Sequence, residues 1–285
     1  MSEYKKIAAT DLDGTIVDRN NKISKTNLEL IQNFMDKTNN AFTVVTGRNY
    51  FLAEEHVNNL KVTLPVITTN GISVIDPKTK KYIAKNHFSK DEIFKIIEIL
   101  REGGIGYDLL GDFDAYLTKD SVNCRLFENT KFNLLDSKDV IFNVYENQEE
   151  LYKNIKEKVN EMPSIYVECS DEQYKQFVLN LLKDLDIEVL EFMYANRIVL
   201  EFYKKGSGKD WGLDQLRKFL EIEDKNNVYI FGDEFNDYPM FKEYKNSYAV
   251  GNAIEGIKKL AKEVILDFDK DGVGIKLNEL IQEFN

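Results

Sequence analysis

The 285-residue sequence predicts an α/β fold: a doubly wound parallel-sheet core with an α+β module inserted into it. Three observations lead there. Short β-rich runs alternate with amphipathic helical runs from the start of the chain. The same alternation resumes after residue 205. Between them lies a stretch of paired strands and helices whose loops carry no Gly-rich or Asp-rich chemistry.

The elements follow in order. "KKIAAT" reads as a short buried strand. "SKTNLELIQNFMDK" comes next, with Leu28, Ile31, Phe34 and Met35 at helical spacing and Ser24 as N-cap. "AFTVVT" is a second buried strand, a helix is expected over 49–60, and "LPVITTNG" is a third strand. A β-α-β-α-β order requires right-handed crossovers and a parallel sheet. "ISVID", "PKT" and "KKYIA" read as a hairpin leaving that sheet.

In the middle, "SKDEIFKIIEILREGG" is a helix with Ser89 and Glu92 as a capping box and glycines at its end. "YDLLGDFDAYLT" reads as an antiparallel pair around "GD". "DVIFNVY", "SIYVECS" and "IEVLEFMYANRIVLEFY" are strand material, and helices are expected over 148–160 and 172–185. After residue 205, "GKDWGLDQLRKFL" is a helix, "NVYIFGDE" a strand and "NDYPMFKEY" a short helix. "SYAVGNA", a helix at 254–261, "EVILDF" and a last helix from Val273 complete the chain. The economical division is a core of 1–84 with 203–285, and an inserted module of 85–202.

Composition narrows the class of function. The chain is 43% hydrophobic and 31% charged, enough to bury a core and stay in solution. A formal charge of −11 argues against a nucleic-acid binder or an anionic-membrane binder. An anionic substrate then needs a local pocket of positive charge. Cys124 and Cys169 form no framework spacing, which fits a reducing compartment. His56 and His87 form no zinc-ligand spacing. No apolar leader and no run of about 18 apolar residues is present, so a cytoplasmic protein is expected.

Four stretches carry chemistry, and each follows a strand or opens a helix. In "DLDGT", Asp11 and Asp13 share a face if the strand extends that far, and Gly14 permits a sharp turn. Ligands in open α/β sheets sit at the carboxyl ends of strands. "TGR" places the Thr46 hydroxyl, the Gly47 loop N–H and Arg48 after the second strand, where they can hold a phosphate oxygen. "TTNG" offers Asn70 and Gly71 after the third. In "KGSGKD", Lys209 opens a helix, an unfavourable place for a cation unless an anion is shared there. The spacing is not that of a P-loop. "GDEFND" places Asp233 at a strand end and Asp237 one helical turn on, with Glu234 and Asn236 between. Clustered hard oxygen ligands without His or Cys suit Mg²⁺. Each stretch also has an ordinary reading as a turn, a helix cap or a solvated charge.

Taken together, the four stretches resemble the motifs of the haloacid dehalogenase-like hydrolase superfamily: "DLDGT", Thr46 in "TGR", Lys209 and "GDEFND". Insertion of the middle module after the third strand resembles the type IIB cap of Cof-type phosphatases, and "TTNG" and "YAVGNAIEGIKKLA" are similar to that subfamily. The resemblance implies a Rossmann-like core, with Asp11 as nucleophile and Asp13 as acid and base. It implies Mg²⁺ held by Asp11, Asp233 and the backbone carbonyl of Asp13, with Asp237 and Asn236 in support. Thr46, Gly47, Lys209 and Asn236 would hold phosphate; Arg48, Asn70 and Gly71 are further substrate candidates. The implied activity is Mg²⁺-dependent hydrolysis of a small phosphorylated metabolite through an aspartyl-phosphate. A phosphosugar mutase and a non-catalytic phosphometabolite-binding regulator are the alternatives. Glu234, Asp210 and Val250 depart from the usual subfamily pattern. Arg125, Arg197 and Tyr116 are candidate cap contacts, though surface or core roles suit them better. Trp211 is expected in the core.

Overall fold

The computed structural model describes residues 4–129, 140–194 and 196–284. The chain folds as two compact units, Met1–Lys85 with Ser207–Asn285, and Asn86–Gly206.

The first unit begins with β1 (Ile7–Thr10), α1 (Lys25–Lys37), β2 (Phe42–Val44), α2 (Tyr50–Leu60), β3 (Val66–Thr68), β4 (Ser73–Asp76) and β5 (Lys81–Lys85). The second unit holds β6 (Phe88–Ser89), α3 (Lys90–Glu102), β7 (Asp108–Leu110), β8 (Asp114–Thr118), α4 (Val122–Asn129), β9 (Ile141–Tyr145) and α5 (Gln148–Lys158). It continues with β10 (Glu161–Met162), β11 (Ser164–Cys169), α6 (Glu172–Leu182), β12 (Ile187–Tyr194) and β13 (Arg197–Lys204). The chain then returns to the first unit with α7 (Lys209–Phe219), β14 (Val228–Gly232), α8 (Tyr238–Glu243), β15 (Asn246–Ala249), α9 (Glu255–Leu260), β16 (Glu263–Val264) and α10 (Gly272–Phe284).

In the first unit, five parallel strands lie in the order β16-β15-β14-β1-β2. From β1 the chain moves one way to β2; from β14 it moves the other way to β15 and β16. The order therefore reverses between β1 and β14, where an open sheet leaves a crevice. Both central strands are buried along their whole length, as a parallel sheet covered on both faces requires. Helix α1 starts where Ser24 accepts a hydrogen bond from the Asn27 N–H. It packs on α10, with Phe34 and Phe284 edge to face at 4.9 Å.

The third strand keeps only part of the expected parallel pairing. Among the described residues, β3 meets the parallel sheet through a parallel bridge from Val45 to Ile67 and otherwise pairs antiparallel with β4. β3, β4 and β5 form a separate three-stranded sheet. The hairpin read from "ISVID" and "KKYIA" is present, and it draws β3 into its own ladder because direct antiparallel neighbours are one short turn away.

The second unit is built on a six-stranded sheet, β12-β13-β11-β7-β8-β9, antiparallel except for the β8–β9 pair. One face carries Leu109, Ile165, Val167, Leu200 and Phe202 against Ile93 and Ile97 of α3, Leu151 and Ile155 of α5, and Val178 and Leu182 of α6. The Ser89–Glu92 capping box opens α3 as expected. "IEVLEFMYANRIVLEFY" folds back on itself as the β12–β13 hairpin; Ala195 in its turn lies outside the described residues, as does Asp139 at the head of "DVIFNVY". The helix α4 is an addition to the expected elements. Among the described residues, no helix is long and apolar enough to cross a membrane.

Candidate active site

The crevice between β1 and β14 is lined by the residues that end them. The Asp11 N–H donates to the Phe231 carbonyl at 3.0 Å, so the β1–β14 ladder runs one residue past the strand before the chain turns. Asp233 comes directly after β14. Its Oδ1 accepts from the Thr15 hydroxyl at 2.8 Å. Gly14, at φ +74°, passes so close that a Cβ there would lie 2.4 Å from Asp233 Oδ2. The "DGT" turn thus wraps the Asp233 carboxylate.

Lys209 joins the two halves. Its Nζ lies 2.7 Å from Asp11 Oδ1 and 2.6 Å from Asp237 Oδ1, and the lysine side chain is fully buried. Asp237 uses its other oxygen to accept from the backbone N–H groups of Asp233 (2.7 Å) and Glu234 (3.1 Å). One carboxylate therefore shapes the "GDEFND" turn and anchors Lys209 at once. Burial disfavours the Lys209 ammonium, but the charges of Asp11 and Asp237 outweigh it and hold the lysine protonated.

The carboxylates feel the opposite balance. Burial, reinforced by Asp237 and Asp233 and opposed by Lys209, pushes Asp11 well above the usual carboxylate range. Burial and then the Asp237 charge push Asp233 up to about 7. Asp11, Asp233 and Asp237 each present an oxygen within 4.8 Å of the others, all buried. When all three carboxylates are ionised, one ammonium leaves a surplus of two negative charges. That surplus, offered entirely by hard oxygens, fits a divalent cation such as Mg²⁺.

Asp13 does not join this cluster. β1 ends at Thr10, so the shared-face geometry expected for Asp11 and Asp13 fails. The Asp13 carboxylate points instead to Arg48, which grips it with Nε at 2.8 Å and Nη2 at 2.5 Å. Burial would raise Asp13, but the Arg48 hydrogen bonds and charge prevail and hold it below the usual range. Arg48 is itself fixed: Nη1 donates to Asn21 Oδ1 at 2.8 Å and to the Leu52 carbonyl at 3.1 Å. His56 Nε2 lies 2.9 Å from the same Asn21 oxygen. Burial, then Arg48, pushes His56 down to about 4, so it is neutral near pH 7 and donates to Asn21.

The remaining predicted residues gather at the end of β2 and the turn after β3. Thr46 is fully buried, and its hydroxyl accepts from the Arg48 N–H at 3.1 Å. Gly47 lies beside the Asn70 and Asn236 side chains, which bond to each other at 3.1 Å. Asn70 takes a left-handed conformation and bonds through its N–H to the Thr46 carbonyl. Gly71 acts structurally. At φ +96°, a Cβ there would lie 1.9 Å from the Gly208 carbonyl oxygen. Its bareness lets the turn seat the start of α7 and so places Lys209.

Other candidates sit elsewhere. Tyr116 is buried in the hydrophobic core of the second unit. Arg125 and Arg197 both pair with Glu168. Trp211 is half-buried rather than a core residue. Sequence reasoning missed Thr15, Asn21, His56 and Asn252, whose amide donates to the Gly14 carbonyl at 2.8 Å. Thr15 lies inside "DLDGT" and Asn252 inside "VGNA", so a signal existed for both. Nothing local marks Asn21 or His56.

The profile of the haloacid dehalogenase-like hydrolases matches residues 8–277. A 5-amino-6-(5-phospho-D-ribitylamino)uracil phosphatase of Bacillus subtilis, YitU, is 24% identical over 96% of this chain and 96% of its own. The stress response protein YhaX of the same organism is 24% identical over 96% and 93%. Among solved structures, a haloacid dehalogenase-like hydrolase from Bacteroides thetaiotaomicron superposes with a TM-score of 0.78 at 20% identity, covering 96% of this chain and 99% of that one. A subclass IIB sugar phosphatase does so at 0.70 and 19%, covering 96% and 98%. At such identities the superpositions show the fold, an α/β hydrolase core with a second α+β unit. The chain belongs to the haloacid dehalogenase-like hydrolase family.

Proposed function

We propose that this enzyme is a Mg²⁺-dependent phosphatase that hydrolyses small phosphorylated metabolites through an aspartyl-phosphate on Asp11. The observation that carries the reading is the Asp11–Lys209–Asp237 contact beside Asp233, at the reversal point of the sheet. YitU is named as a phosphatase of a phosphorylated ribityl compound, so sugar, nucleotide and cofactor phosphates are the substrate classes to test.

Asp11, Asp233 and the Asp13 carbonyl would hold Mg²⁺, with Asp237 in support; when bound, the ion neutralises carboxylate and phosphoryl charge. Asp11 attacks phosphorus with its free carboxylate oxygen. Lys209, kept cationic by its two partners, draws the phosphoryl oxygens in and offsets their charge. Thr46, the Gly47 N–H and Asn236 hold further phosphoryl oxygens. Asp13 gives a proton to the departing alkoxide, then takes one from the water that cleaves the aspartyl-phosphate. The Arg48 grip must loosen for Asp13 to take up that proton, and an arriving phosphate is a competing anion for Arg48. The inserted module, 85–202, acts as the cap that selects the leaving group. A cytoplasmic setting suits such substrates.

The test is phosphate release from p-nitrophenyl phosphate and a panel of phosphorylated metabolites, with and without Mg²⁺. Tight binding of a phosphoester with no release from any would replace this reading with a regulator. Transfer of phosphate between sugar hydroxyls, with little free phosphate, would replace it with a mutase.

A further inference from the structure

Phe235 is 73% exposed, more than any other large apolar side chain among the described residues. It stands three residues past the end of β14, at the start of a short helical turn, Phe235–Asp237. That is the carboxyl end of the sheet, the side on which the crevice opens. Single exposed apolar side chains are ordinary on a protein surface. Met193 (63%) on the edge strand β12 and Phe219 (53%) at the end of α7 need no other account. Phe235 differs in its neighbours.

Groups of the candidate site hold its backbone. Asn236, the next residue, donates to Asn70 Oδ1 at 3.1 Å beside Gly47. Asp237 follows, with one oxygen on Lys209 and the other on the N–H groups of Asp233 and Glu234. The Phe235 N–H donates to Glu234 Oε2 at 3.0 Å, and its carbonyl accepts from the Tyr238 N–H. The turn is therefore fixed, while the ring stays in water and contributes little to packing. Asp233 is two residues away, and consecutive Cα atoms are about 3.8 Å apart, so the two Cα atoms lie within about 8 Å. A pentose spans that distance. Glu234, Asn236 and Asn70 are polar, so the ring is the flat apolar surface that this turn offers to a leaving group. A ring placed in advance binds an aromatic partner by stacking at little ordering cost.

From this placement we propose that Phe235 sets leaving-group specificity: it selects phosphate esters whose alcohol carries a flat aromatic ring, such as a nucleobase or a flavin, over bare sugar phosphates. The proposal rests on the phosphatase reading of the crevice and narrows its substrate class.

Two matched pairs test it, flavin mononucleotide against D-ribitol 5-phosphate and adenosine 5′-monophosphate against D-ribose 5-phosphate. Within each pair the phosphorylated chain is the same and only one member carries a ring. Wild type should favour the ring-bearing member by kcat/KM in at least one pair. In Phe235→Ala that preference should fall about tenfold, the effect of losing one base–aromatic stack. The change should lie in KM rather than kcat, because the ring does not reach the reacting atoms. Phe235→Trp should keep the preference. A wild type that favours the ring-bearing member of neither pair, or a preference that Phe235→Ala leaves unchanged, would overturn the inference. Release of phosphate from none of the four esters would remove the phosphatase reading instead; calorimetric Kd ratios for the same pairs would then decide Phe235 by the same criterion.

Discussion

Lys209 Nζ lies 2.7 Å from Asp11 Oδ1, although 198 residues separate them. The contact is made across the point where the two halves of the first unit meet. It ties the loop after β1 to the start of α7, and Asp237 ties the same lysine to the loop after β14. Removing the ammonium leaves two buried carboxylates facing each other. Lys209→Ala is expected to lower stability by about 3–5 kcal/mol and kcat by about 10²–10³. Denaturant melts and steady-state kinetics read the two effects separately.

Asp11→Asn should abolish phosphate release while the protein keeps its fold, since the amide oxygen can still accept from Lys209. Circular dichroism alongside a phosphate assay checks both parts. Full turnover in that variant would sink the covalent mechanism.

Metal removal should act on stability as well as rate. Three clustered carboxylates face one ammonium, which contacts two of them, so a divalent cation at this cluster stabilises the folded state by mass action, about 2.7 kcal/mol at a hundredfold excess over Kd. A melting temperature that rises with Mg²⁺ and returns on chelation is the expected result. The rise should be lost in Asp233→Asn.

Gly71→Ala tests how Lys209 is placed. A methyl group there would collide with the Gly208 carbonyl, in a backbone conformation that already disfavours a side chain. The expected cost is roughly 1–3 kcal/mol of stability, with a fall in kcat although Gly71 itself touches no phosphate. Unchanged stability would show that the turn after β3 can move freely from α7.

Asp108 gives a pH signature in the second unit. Its folded value of about 6 lies above the ordinary carboxyl value of 3.8. The folded state thus holds the proton more tightly, and between those values the unfolded state binds fewer protons. The contribution is fully present below about pH 4 and falls as pH rises through 6, by roughly 3 kcal/mol for this group. In Asp108→Asn that slope should vanish, as urea midpoints across the same pH interval would reveal.

Local pattern carried much of this. The 3.6-residue spacing in α1 and the Ser89–Glu92 box of α3 are properties of neighbouring residues, so they were legible. So were Asp11, Thr46, Lys209 and Asp233, because each follows a strand or opens a helix with an unusual residue type. The pairing of β3 was not legible, since a short buried run fits a parallel or an antiparallel neighbour equally. The sequence reading also passed over α4, which spans only eight residues, Val122–Asn129.

By itself, then, the sequence determined which residue types stand at the strand ends and which family the chain resembles. Tertiary structure decided their partners. Asp11 and Asp13 looked like a pair of like charges on one face; the chain separates them, one to Lys209 and one to Arg48. Arg48 is steadied by Asn21 and, through it, by His56. The physical reason is that ionic and hydrogen-bond partners are chosen by distance through space, and distance depends on how separate segments pack.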